Sequence, residues 1–185
     1  DEEDEVRKRV EESERESRKL LTDVKREADR LKEHDKRLLD EVKKLLDKIR
    51  EDLKKLPSED EEKRKRLKEL LDRIEKELRD LAKEVKERNE RLDEELERLA
   101  DEARKLHEEV KRRLDDLRRK SKDVDREELK RELDRIIEEL KELNKRLEER
   151  LRELIRDWER VSRELAERLK RIIDKARRLL EEVAR

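Results

Sequence analysis

The chain has no glycine, cysteine, methionine, phenylalanine, tyrosine or glutamine among its 185 residues, and proline and tryptophan occur once each. Without cysteine there is no disulfide framework and no thiolate metal site, and the redox compartment leaves no mark. Apolar residues occur at most in short runs such as Leu20-Leu21, too short for a bilayer, which needs about 20 in succession. The stretch Asp1-Glu2-Glu3-Asp4-Glu5 has neither the basic nor the apolar region of a signal peptide. The expectation is a soluble chain, cytoplasmic in an expression host. No segregated basic face stands out either. The 59 basic and 60 acidic residues are interleaved and leave a net charge of −1, which argues against nucleic acid as a partner.

Charged residues make up 64% of the chain and hydrophobic ones 30%. Without a pattern, that balance would mean disorder. Here the apolar residues are periodic. Positions 133, 151 and 169 are all Leu, and 137, 155 and 173 are all Ile. Eighteen residues are about five α-helical turns, so such a column runs along one helix face. The second helix repeats it with Leu78, Leu96, Leu114 and Leu81, Leu99, Leu117, and the first with Val6, Val24, Val42 and Leu20, Leu38, Leu56. A heptad repeat gives left-handed supercoils and an 11-residue repeat right-handed ones. Eighteen is one of each, which predicts nearly straight helices.

Two breaks divide the pattern. Pro57 removes a helix donor and turns Leu56 away from α geometry. Ser58 with Glu61 then reads as a capping box, as does Asp125 with Glu128, where Val124 and Leu129 have hydrophobic-staple spacing. The fold class expected is all-α: one domain over 1–185, a long antiparallel up-down-up three-helix bundle with helices at about 2–56, 58–120 and 125–184. Each helix would be roughly 80–90 Å long at 1.5 Å per residue. The expected stripes include Leu31, Leu38 and Leu45 in the first helix, Leu99, Ala103, Leu106 and Val110 in the second, and Leu133 through Val183 in the third.

Folding the chain about its breaks gives a height rule. First- and second-helix residues face each other when their numbers add to about 115, and second- and third-helix residues when they add to about 244, to within a turn of 3.6 residues. Asn144 then lies level with Ser13 and Ser17, Ser162 with His34, and Asn89 about a turn from Thr22. These positions (Ser13, Ser17, His34, Asn89, Asn144, Ser162) are the candidate polar core, read as buried hydrogen-bond layers that penalise shifted registers. The rule sets His107 opposite residue 8, roughly 39 Å of helix from His34. Neither histidine has a Glu-x-x-His pattern. No catalytic, cofactor-binding or metal-ligating residue is therefore assigned, and no cofactor is expected. Trp158 falls opposite Ala28 and close to Ala82 and Val85, a large side chain against small ones. The basic run Lys111-Arg112-Arg113 with Arg118-Arg119-Lys120 is interrupted by Asp115 and Asp116 and suits the negative end of a helix dipole.

With its 18-residue columns, capping boxes, restricted alphabet and sparse polar core sites, the whole chain resembles the de novo designed, parametrically generated, nearly untwisted three-helix bundles. The resemblance implies a very stable scaffold without natural biochemical activity, monomeric and requiring no partner. One alternative is a self-assembling module, a homodimer by domain swapping through an opened turn. A remoter one is a natural spacer similar to a spectrin repeat, disfavoured by the poor residue diversity and by helices longer than such repeats use.

Overall fold

A computed structural model describes residues 2–185. Three long helices are packed against one another in all pairs: α1 (Glu2–Lys54), α2 (Glu61–Lys120) and α3 (Arg126–Ala184), with a 3-10 turn at Ser58–Asp60 between the first two. The described residues contain no strand. Glu2, Glu3, Asp4 and Glu5 open α1, and Arg118, Arg119 and Lys120 close α2, each sign placed where the helix dipole favours it.

Neither connection needs glycine, because no described residue has a positive φ. The ends close instead with i→i+3 bonds, which take up orphan helix groups without a left-handed cap. At the first connection, Lys55 N–H donates to Asp52 O at 3.2 Å and Leu56 N–H to Leu53 O at 3.3 Å. Arg64 donates from its guanidinium to Leu56 O. Pro57 is extended at φ −60° and ψ 153°, and α1 stops at Lys54 rather than running to residue 56. The Ser58 capping box does not form. Ser58 lies inside the 3-10 turn, which Asp60 N–H closes on Pro57 O at 3.0 Å, so α2 starts one turn later. At the second connection Ser121 Oγ donates to Arg118 O at 2.9 Å and Asp123 N–H to Lys120 O at 2.9 Å. Asp125 stands directly before α3 and its carbonyl accepts Leu129 N–H at 3.0 Å, as an N-cap carbonyl does.

The chain divides into two compact units, each built from a portion of all three helices. The first contains the chain up to Glu27 with Leu92–Arg156. Its core includes Val6, Val10, Val110, Leu114, Leu133, Ile136 and Leu140, flanked by Leu117, Leu129 and Ile137. The second contains Ala28–Arg91 with Asp157–Arg185. Trp158, Leu46, Ile49, Leu67, Leu71, Leu81 and Leu165 are its most deeply buried large side chains. Lys32 holds its ammonium 5.5 Å from the centre of the Trp158 ring, one helical turn beyond the expected partner Ala28. The indole Nε1 is buried and has no hydrogen-bond partner.

Ion pairs give the register in each unit. Within the first, Arg7 meets Asp115 at 2.8 Å and Lys111 meets Glu14 at 2.6 Å. Arg150 reaches Glu102 at 3.1 Å. Within the second, Arg50 forks onto Asp72 at 2.8 Å and Glu75 at 2.7 Å. Arg88 meets Glu164 and Arg168 meets Glu84, each at 2.5 Å, and Lys175 meets Glu77 at 3.0 Å. The partners run in opposite senses between α1 and α2 and between α2 and α3, so the order is up-down-up.

The heights differ systematically from the simple rule. Arg7 with Asp115 gives 122 rather than 115, and Arg88 with Glu164 gives 252 rather than 244. Side chains lean toward their own helix N-terminus, so antiparallel partners meet with both numbers about one too high. The remainder follows from the connections: extended residues such as Pro57 advance about 3.3 Å each, twice the helical rise, and carry the next helix past the end of the last. Between the parallel helices α1 and α3 both effects cancel. There the rule holds, and Asn144 meets Ser13 as expected.

The rotation of the helices also differs from the expected stripes. His107 is buried at 4% exposure while Leu106 is 45% exposed, the reverse of the expected stripe. In α1, Leu45 is only half-buried and Leu46 is in the core. The α2 register is tested by Leu106→Lys, which should change unfolding free energy by less than about 0.5 kcal/mol, whereas Leu114→Ala should cost about 2–5 kcal/mol. Guanidinium denaturation of the two variants measures both, and a large loss for Leu106→Lys would contradict the register.

Candidate functional site

In the first unit, one buried hydrogen-bonded layer joins all three helices. Valine and leucine columns on α1 are interrupted by Ser13 and Ser17, on α3 by Asn144, and on α2 by His107. All four are buried. His107 Nδ1 lies 2.7 Å from Ala103 O. A carbonyl can only accept, so Nδ1 carries the proton, and in the neutral ring Nε2 is an acceptor. Ser13 Oγ lies 2.8 Å from that Nε2 and donates to it. Asn144 Nδ2 in turn donates to Ser13 Oγ at 2.8 Å, with longer contacts to Ser13 O and Glu16 Oε2 at 3.4 Å. Protons therefore point one way along the chain, from Asn144 through Ser13 and His107 to Ala103 O. Asn144 Oδ1 is left buried without a partner.

Burial is the largest influence on His107 and lowers its pKa from the usual 6.5. The Ala103 hydrogen bond and the charge of Glu14 oppose the shift, and Lys111 and Arg18 reinforce it. The ring is neutral at pH 7, in agreement with its hydrogen bonds.

The second unit has a smaller polar contact between α1 and α3. Ser162 Oγ donates to Asp35 Oδ1 at 2.7 Å, and His34 Nδ1 is 3.9 Å from the same oxygen. Asp35 is 3% exposed. Desolvation raises its pKa above the usual 3.8, against the Ser162 hydrogen bond and the charge of the nearby His34.

Of the residues expected in the polar core, Ser13 and Asn144 come together and Ser17 is buried one turn from Ser13. Ser162 is half-buried and bonded, though to Asp35. Asn89 is half-buried with a buried, unpartnered Oδ1. His34 is not a core residue: its side chain is 63% exposed, because it sits about 90° from the centre of the α1 stripe at 100° per residue. Asp35, the next residue, lies near that centre, seven residues after Ala28 and seven before Val42. Its position carried the signal, and its charge concealed it. His107 was harder to find. Relative to the line through Leu99, Ala103, Val110 and Leu114, Leu106 and His107 lie about 50° to either side. The helix pattern weighs them equally, and the side facing α1 received the histidine.

No family model, curated protein or solved structure matches this chain. Among the described residues, no helix is long and apolar enough to cross a membrane.

The two buried titratable groups predict opposite pH responses. For His107, the unfolded chain takes up a proton before the folded one, so its contribution is intact above about pH 6.5 and is lost as pH falls toward the lower folded value. His107→Leu should therefore gain stability relative to the parent between pH 7 and 5, measured as the difference in melting temperature. For Asp35, the folded form holds its proton to higher pH. Its contribution is complete below about pH 3.8 and disappears as pH rises through the raised value. Asp35→Asn should stabilise the protein by about 1–3 kcal/mol at pH 7 and by much less at pH 3; equal gains at both pH values in chemical denaturation would contradict this.

Proposed function

We propose that this chain is a designed three-helix bundle whose role is to fold as a stable monomeric scaffold, with no natural biochemical activity. The observation carrying this reading is the polar layer of the first unit, in which groups from three helices meet at one level with a single proton direction. Such a layer contributes little net stability, about 1 kcal/mol per hydrogen bond, but a shifted register leaves its donors and acceptors unpaired at a cost of about 1–3 kcal/mol each. Its physical effect is specification of one packing over its neighbours. Interhelical charge pairs act in the same direction: a slip of one turn sets Arg88 opposite Arg160 or Arg168 in place of Glu164. Each exposed pair adds only about 0–1 kcal/mol, so they too select more than they stabilise. An alphabet of strong helix formers at the exposed sites supports the designed origin, and those propensities support a high melting temperature.

Light scattering should give a mass near 23.0 kDa at all concentrations, with a melting temperature above about 90 °C. Twice that mass would instead establish the domain-swapped dimer, and unfolding below about 65 °C would remove the case for an idealised scaffold. Asn144→Leu should preserve or raise the melting temperature, because it removes the unpaired Oδ1, while broadening amide NMR spectra through alternative packings. A loss of several kcal/mol would make the asparagine a stabilising member of the layer.

A further inference from the structure

The polar layer contains more than register information. Ser13 Oγ and His107 Nε2 are 2.8 Å apart, the separation of a nucleophile and its general base. The base is itself oriented, since its Nδ1–H is held by Ala103 O at 2.7 Å. Asn144 Nδ2 donates to the serine oxygen at 2.8 Å. Ser13 and Asn144 also line a cleft of about 400 Å³ between α1 and α3, whose rim carries Arg9, Lys141 and Lys145 beside glutamates. Nucleophile, base, orienting acceptor and an adjoining cleft are parts of an acyl-transfer site.

We propose that Ser13, His107 and Asn144 form a latent acyl-transfer site that cleaves activated carboxylic esters, with Ser13 as the nucleophile and substrate entering the α1–α3 cleft. The Ser13 oxygen attacks the ester carbonyl carbon, its proton passes to His107 Nε2, and the carbonyl oxygen takes the negative charge of the tetrahedral intermediate. Collapse of that intermediate breaks the bond to the leaving group, which departs as its anion while the His107 proton passes to solvent, and an acyl-serine beside a neutral His107 remains. Water then attacks the acyl-serine, giving one proton to His107, and collapse releases the carboxylic acid as His107 returns that proton to the Ser13 oxygen. No oxidant, metal or co-reactant is consumed. Asn144 holds the serine oxygen in place.

The geometry also limits the substrate. A carbonyl rather than a carboxylate stands behind His107, so the imidazolium is weakly stabilised, Ser13 is only weakly activated, and the leaving group must depart easily. A phenolate does so; an alkoxide or amine does not. Ser13 is only 7% exposed, which favours acetyl over longer acyl groups. Burial of His107 keeps the base unprotonated below the pH at which a free imidazole titrates.

The test uses the full chain with 4-nitrophenyl acetate, in a His34→Gln background that removes the exposed imidazole. The expected result is a burst of nitrophenolate followed by slower turnover, with the acetyl group mapped to Ser13 by peptide mass spectrometry after acid quench. Ser13→Ala should reduce the rate about a hundredfold with an unchanged circular dichroism spectrum, and the pH–rate profile should have its midpoint below that of free imidazole. Acetyl groups found only on lysines or on His107, or a Ser13→Ala rate equal to that of its His34→Gln parent, would overturn the proposal. Mapping on the chain with Ser13 intact decides the matter even where a variant unfolds.

Discussion

Each helix here can bury only one stripe of its surface, and the rotation of the helix about its axis decides which flanking residues go inside. Everything else in the molecule depends on that constraint. In α2, Leu106 and His107 compete for the same depth, and burial of the histidine leaves the leucine at 45% exposure. The exchange costs apolar burial, offset by a hydrogen bond from His107 to its own helix and another that it accepts from Ser13. In α1 the same rotation takes Asp35 inside and leaves His34 outside. A bundle with 64% charged residues has little apolar material to spare, so the polar residues in the stripe are as much a part of the packing as the leucines.

The two units manage buried polarity differently. In the first, Asn144, Ser13 and His107 pass hydrogen bonds from helix to helix, leaving one amide oxygen unpartnered. In the second, Asp35 has one strong donor, Ser162, and a histidine just beyond hydrogen-bond distance. Burial disfavours the charged form in both cases, but a neutral histidine is the stable species at pH 7 whereas an aspartate must hold its charge against desolvation. The same physical cause thus makes acid unfavourable to one unit and favourable to the other.

Much of this was legible in the sequence. Columns such as Leu133, Leu151, Leu169 give a helix face by arithmetic alone, and Pro57 marks a helix end by its missing donor. The meeting of Asn144 with Ser13 was legible too, because parallel helices cancel both the lean of side chains and the advance of the connections. The antiparallel pairs were misplaced by about two turns for the same reason. That error set His107 opposite residue 8 and separated it from Ser13, so the arrangement with most chemical content was invisible. Asp35 was concealed differently: its position is central in the stripe, but a carboxylate is read as surface until a partner such as Ser162 is known.

The sequence by itself determined three helices, their order and their breaks, because helical periodicity and a missing backbone donor are local properties of the chain. Tertiary structure decided the axial register, the rotation of each helix, and therefore which serine meets which histidine. Those quantities depend on connection geometry and side-chain direction. An error of a few ångströms there leaves the apolar pattern satisfied, and only the polar atoms, which need a partner within about 3 Å, distinguish one packing from the next.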